Sequence, residues 1–66
     1  MRVVVLPDRT EQELSGPMRV DWILSELRMN PETVLVLKSG ALLTPDQNVG
    51  DDEEIEIWPV ISGGRG

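Results

Sequence analysis

Asp51-Asp52-Glu53-Glu54-Ile55-Glu56-Ile57-Trp58-Pro59-Val60-Ile61-Ser62-Gly63-Gly64 is the stretch on which the fold turns. Four successive carboxylates repel one another and need water, so Asp51 to Glu54 mark a solvated turn. Alternation follows at once. Ile55 and Ile57 fall on one face and Glu54, Glu56 and Trp58 on the other, the period of a half-buried strand. Pro59 ends that strand or interrupts its ladder, because proline has no N–H to donate. The Gly63-Gly64 pair then carries no Cβ atoms, so the main chain can stay extended, thread a narrow channel and present a backbone carboxylate to chemistry. Glycines also suit a frayed terminus. Their place behind an amphipathic strand is what points to a tail used as a substrate.

Upstream, Arg2-Val3-Val4-Val5-Leu6 is a β-branched run bounded by Pro7-Asp8, a strand followed by a turn. The more polar Thr10-Glu11-Gln12-Glu13-Leu14 fits an edge strand pairing back on it. Val20, Ile23, Leu24 and Leu27 recur at helical spacing, with Asp21, Glu26 and Arg28 off the stripe, and predict a short amphipathic helix. Asn30-Pro31 is expected to stop it, since the residue before proline is pushed out of the α region. Trp22 lies off the stripe and is expected to cover the helix edge, not to bind a ligand. Thr33 to Lys38 reads as a central strand ending at Ser39-Gly40, and Ala41-Leu42-Leu43 as a short return strand. Thr44-Pro45-Asp46-Gln47 is expected to open one helical turn with Thr44 as cap, leaving Val49 as a lone apolar plug.

At 66 residues there is room for one core, and with Trp22 and Trp58 the only aromatics that core must be aliphatic. The absence of cysteine and histidine removes disulfides, thiol nucleophiles, imidazole bases and the common zinc ligands. An ordinary enzyme is therefore not expected. Twelve acidic against six basic residues give a net charge of −6, which repels nucleic acid and anionic membranes, so neither is expected as a direct partner. The acidic turn lacks the spacing of a calcium loop, and no metal site is expected. With no signal-like segment and no apolar run of membrane length, the expected location is the cytoplasm.

The order strand, strand, helix, strand, short strand, strand suits an α+β domain with one helix on one face of a mixed sheet. In that order and at that length, the acidic turn, last strand and diglycine resemble those of the β-grasp, ubiquitin-like sulfur carriers of the ThiS/MoaD family, prokaryotic ubiquitin-like small modifiers included. Asn30-Pro31-Glu32-Thr33-Val34-Leu35-Val36 is similar to the family's helix exit and third strand. The resemblance divides the chain into a β-grasp domain over residues 1–61 and a tail over residues 62–66.

What the resemblance implies is a carrier, not a catalyst. A ubiquitin-activating-type enzyme adenylates the terminal carboxylate, with ATP and magnesium belonging to that partner. A persulfide donor then converts the acyl adenylate into a thiocarboxylate, which a sulfur-accepting synthase or tRNA thiolase consumes. No cofactor is expected on the chain itself. Gly64 is the expected activated carboxyl, Gly63 gives clearance, and Ser62 to Pro59 set the reach. The sequence departs from the family pattern in continuing with Arg65-Gly66, so cleavage before Arg65 is expected, by a protease of the JAMM metalloprotease type. The sulfur would serve 2-thiouridine formation in tRNA, or thiamine, molybdopterin or cysteine synthesis, with a lean toward the small-modifier and tRNA-thiolation branch. Alternatives are a protein modifier joined to target lysines through Gly64, with Lys38 as a possible self-conjugation acceptor, and a β-grasp adaptor without tail chemistry.

Strand parity adds a docking surface. With Val3 and Val5 inward toward the helix, Val4, Leu6 and Trp58 are expected to face outward and, with Val60, to meet the activating enzyme. Trp58 would be the anchor, and Asp51, Asp52, Glu53 and Glu54 would steer from the rim.

Overall fold

The last strand of the sheet, β7 (Glu54–Pro59), lies at its centre, and the rest of the fold is built around it. In the computed structural model, which describes residues 1–60, β1 (Arg2–Val5) runs parallel to β7 on one side. On its other side β4 (Val34–Lys38) runs antiparallel to it. Strands β2 (Thr10–Glu13) and β5 (Ala41–Leu43) form the edges, giving the order β2-β1-β7-β4-β5. A parallel pair cannot be joined by a tight turn, so the chain between β1 and β7 must cross over, and the crossover carries the helix α1 (Val20–Glu26). This is a β-grasp fold: a mixed five-stranded sheet holding one helix.

The core follows from alternation. Val3, Ile55, Ile57 and Val36 project from three adjacent strands toward Val20, Ile23 and Leu24 of α1, and all are buried. Val5 and Leu27 pack against this cluster at its margin, as the helical stripe and strand parity require. Met1 closes one end of the core. Its amino group donates to the Leu14 carbonyl at 2.6 Å, and the Leu14 N–H donates back to Met1 at 3.0 Å, prolonging the β1–β2 ladder.

Four local expectations change. The helix stops at Glu26, with Leu27 as its cap, before Asn30-Pro31 is reached. Arg28 takes the left-handed conformation (φ 59°), Arg28 N–H donates to Ser25 and Met29 N–H donates to Leu24 at 2.8 Å, so the last carbonyls are satisfied by a Schellman turn. Asn30-Pro31 instead opens a 3-10 turn, Pro31–Thr33, whose Glu32 N–H is capped by the Asn30 side chain at 2.9 Å. Thr44 to Gln47 form a turn and not a helical one. Gln47 N–H reaches the Thr44 carbonyl, the Gln47 side chain accepts from Thr44 N–H, and the Pro45 carbonyl takes the Asp21 N–H. Val49 is fully buried but not solitary. It belongs to β6 (Asn48–Val49), which pairs antiparallel with β3 (Met18–Arg19) in a two-stranded ladder at the start of the helix.

Between β4 and β5 the two-residue link Ser39-Gly40 has φ of 52° and 81°, the left-handed pair of a tight hairpin turn. It places Lys38 opposite Ala41 and fixes where the only lysine of the sequence sits.

Candidate functional site

The face of the sheet turned away from the helix is assembled from alternate residues of all five strands. Register places Glu11 beside Val4 beside Glu56, and Leu35 beside Trp58. Leu37 lies opposite both Glu56 and Leu42. The face is therefore divided. Its β2–β1–β7 side carries Glu11, Glu13, Glu54 and Glu56 around Arg2, whose guanidinium lies 3.9 Å from Glu11, 4.0 Å from Glu13 and 3.9 Å from Glu54. Its other side and one end are apolar: Trp58, Leu35 and Leu42 remain 46, 45 and 60% exposed.

Leu6 sits beside this apolar end, its N–H bonded to the Ile57 carbonyl at 2.9 Å. Leu6, Pro7, Trp58 and Pro59 line a shallow apolar groove. The Trp58 indole N–H donates to Glu56 Oε1 at 3.2 Å, which turns the polar edge of the ring toward the acidic half and leaves its face open. Val60 follows, also exposed, with its N–H donating to the Thr33 carbonyl at 2.8 Å. That bond sets the end of the sheet from which the chain runs on toward the diglycine. The apolar groove and the exit lie side by side.

Of the residues expected at a docking surface, Leu6, Trp58 and Val60 are brought together here. Val4 is a correction. It does lie on the outer face, but it is only 3% exposed, because β1 is interior and Glu11 and Glu56 stand on either side of it. It supports the surface without offering contact area. The acidic turn also divides. Asp51 Oδ1 accepts from Gly16 N–H at 2.7 Å and lies 3.9 Å from the Met1 amino group. Glu53 accepts from Gly50 N–H at 2.7 Å through one oxygen and from Lys38 Nζ at 2.8 Å through the other. The Lys38 bond first, and the Gly50 bond after it, hold the Glu53 carboxyl below its usual range. These two carboxylates build the turn, and Asp51, Asp52 and Glu54 stand exposed on it. Ser62, Gly63, Gly64 and Arg65 lie outside the described residues.

Leu35, Leu37, Leu42, Glu11 and Glu13 join the face without having been singled out from the sequence, whereas Glu56 was placed there by the alternation of Glu54 to Trp58. Thr33 to Lys38 is apolar nearly throughout, so every second residue of it had to face away from the helix, and that was the signal for Leu35 and Leu37. Which parity faced outward, however, depends on the register of β4 against β7.

No protein-family model matches the chain. Two relatives align with it along most of its length. The sulfur carrier protein TtuB of Thermus thermophilus is 42% identical over 65 residues, covering 97% of this chain and all of that protein. An uncharacterized protein of Archaeoglobus fulgidus is 41% identical over 54 residues, covering 82% of this chain and 78% of its own. With a β-grasp sheet and a relative of this identity along nearly its whole length, the class is that of the small ubiquitin-like carriers. The chain belongs to the ThiS/MoaD-type sulfur carrier family. Such a protein is a carrier, and it implies an activating enzyme and a sulfur acceptor as partners. Among the described residues no helix is long and apolar enough to cross a membrane.

Proposed function

We propose that this chain carries sulfur as a thiocarboxylate on Gly64, exposed as the terminal residue after removal of Arg65-Gly66. A carboxylate resists nucleophiles. Adenylation by the partner, with ATP and magnesium, makes its carbonyl electrophilic and supplies AMP as leaving group. The terminal sulfur of a persulfide displaces AMP, and a thiol then cleaves the acyl disulfide, leaving the thiocarboxylate and a disulfide. The chain contributes a reachable carboxylate and a surface that brings the activating enzyme to it.

One observation beyond kinship supports the reading most: the apolar groove of Leu6, Pro7, Trp58 and Pro59 adjoins the Val60 exit. An enzyme that docks there holds the carrier next to the segment it must activate. Trp58 is the anchor in this reading, with Leu35 and Leu42 extending the apolar contact. The carboxylates across the face favour a basic rim on the partner and accelerate encounter at low salt. The sulfur acceptor we favour is a tRNA-thiolating system.

Adenylation by the purified activating enzyme tests the processing step, read as ATP-dependent release of pyrophosphate. The chain ending at Gly64 is expected to react, while the 66-residue chain and Gly64→Ala react poorly, since arginine places a long charged side chain where a narrow channel is matched to glycine. Equal reaction of the full-length and Gly64-terminated chains would contradict it.

A further inference from the structure

An activated acyl group is a hazard to any free amine near it, and the only lysine of this chain is Lys38. Its Nζ donates to Glu53 Oε2 at 2.8 Å, and both side chains are only 36% exposed. Glu53 cannot swing away at little cost, because its other oxygen holds Gly50 N–H at 2.7 Å. The ion pair thus joins the β4–β5 hairpin to the turn that opens β7. An amine attacks an acyl carbonyl through its nitrogen lone pair, which requires losing a proton. Nζ held against the Glu53 carboxylate must first leave that hydrogen bond before it can approach an acyl carbonyl.

Position adds to this. Val60 is bonded to Thr33 at the start of β4, whereas Lys38 ends that strand. The five steps from Thr33 to Lys38 therefore separate the exit of the chain from the amine, about 17 Å along the strand. Lys38 points its Nζ to Glu53, beyond the opposite end of β7.

We propose that Lys38 is a masked acylation site: the Glu53 ion pair and its place at the far end of the sheet keep the activated carrier from conjugating to itself or to a second copy. The proposal rests on the reading of the chain as activated at Gly64. The suppressed step is attack of neutral Nζ on the Gly64 carbonyl of an acyl adenylate. The N–C bond would form, the C–O bond to AMP would break, AMP would leave, and the proton from nitrogen would pass to water. With that route closed, and with the amino group of the buried Met1 bonded to the Leu14 carbonyl, the acyl group or its sulfur goes to other molecules.

The test uses the N-hydroxysuccinimide ester of acetate at mildly alkaline pH, with acetylation of Lys38 followed by mass spectrometry after digestion. In the folded full-length chain Lys38 is expected to react about five-fold more slowly than in the same chain unfolded in urea, the upper range for an exposed ion pair. Glu53→Gln keeps an acceptor for Gly50 but removes the charge, and is expected to bring the rate within about two-fold of the unfolded chain. Glu54→Gln, at the neighbouring carboxylate, is expected to leave the rate as it was. Should Glu53→Gln lose its fold by circular dichroism, raising the salt to about 1 M on the unaltered protein supplies the same reading, because screening weakens the pair and should accelerate Lys38. A folded-state rate equal to the unfolded one overturns the proposal. So does a folded Glu53→Gln as slow as the parent, or, if that variant unfolds, a rate indifferent to salt. Acetylation needs no activating enzyme, ATP or sulfur, so its outcome and that of the Gly64 reading are separately decided.

Discussion

Ile57 faces the helix from the middle strand, between Val5 on the parallel side and Val36 on the antiparallel side, with no exposed surface. Truncation to alanine there removes contacts from both neighbouring strands and from α1 at once. Ile57→Ala is expected to cost on the order of 2 to 5 kcal/mol, a large part of what so small a domain has. An unchanged urea midpoint would reject this placement. Trp58, one residue on, points the other way. Trp58→Ala should change stability by less than about 0.5 kcal/mol while weakening binding to the activating enzyme about ten-fold or more. Affinity retained within about two-fold, by titration calorimetry, would remove the anchor. Glu53 gives the pH dependence. Its folded pKa is depressed, by Lys38 and then by Gly50, and that of Asp46 is depressed too, by the Thr44 hydroxyl and then by its own backbone N–H. Groups of this kind contribute stability that is present above their unfolded values, near about 4, and lost as pH falls through the folded ones. The urea midpoint should decline on acidification below about pH 4, and Glu53→Gln should flatten that decline.

At the scale of elements, the end of α1 shows what a single sequence hides. The apolar stripe from Val20 to Leu27 made the helix legible, and Pro31 invited a stop just before it. The actual stop depends on Arg28 adopting φ 59° while Met29 and Leu24 join the core. Nothing in arginine announces a left-handed residue, which glycine would have done. Arg28→Gly is therefore expected to stabilise the protein by up to about 1 kcal/mol, the left-handed penalty of about 1 to 2 kcal/mol relieved less the roughly 0.5 to 1 kcal/mol that glycine's freedom in the unfolded chain costs. A lower unfolding midpoint in that variant would show that the arginine side chain contributes more than the backbone loses. The strands β3 and β6 stayed hidden for a different reason: two residues are too few to display a period. Of the two edge strands, β2 was legible as an edge from composition, whereas β5 was legible only as a short return strand. β2 is polar and exposed along its length, and such an edge resists pairing with other sheets.

Across the whole molecule, alternation in β7, together with strand parity along the apolar run of β1, gave both faces of the sheet before any pairing was known, and hence the split between core and outer surface. It could not give lateral order. That Leu35 lies beside Trp58, that Leu42 continues the apolar side, and that Val4 is enclosed between Glu11 and Glu56 are consequences of strand pairing and register. The result is a face with an acidic half and an apolar half, and the apolar half adjoins the point where the chain leaves the sheet. On a member of a sulfur carrier family, that arrangement makes the loading of sulfur onto Gly64 the decisive step to observe. Mass spectrometry of the Gly64-terminated chain, after incubation with its activating enzyme, ATP, magnesium and a persulfide donor, observes it. The expected result is a mass gain equal to replacing one oxygen by sulfur, confined to the C-terminal fragment and absent without ATP. A chain that is adenylated yet returns with its carboxylate unchanged would contradict sulfur carriage at Gly64.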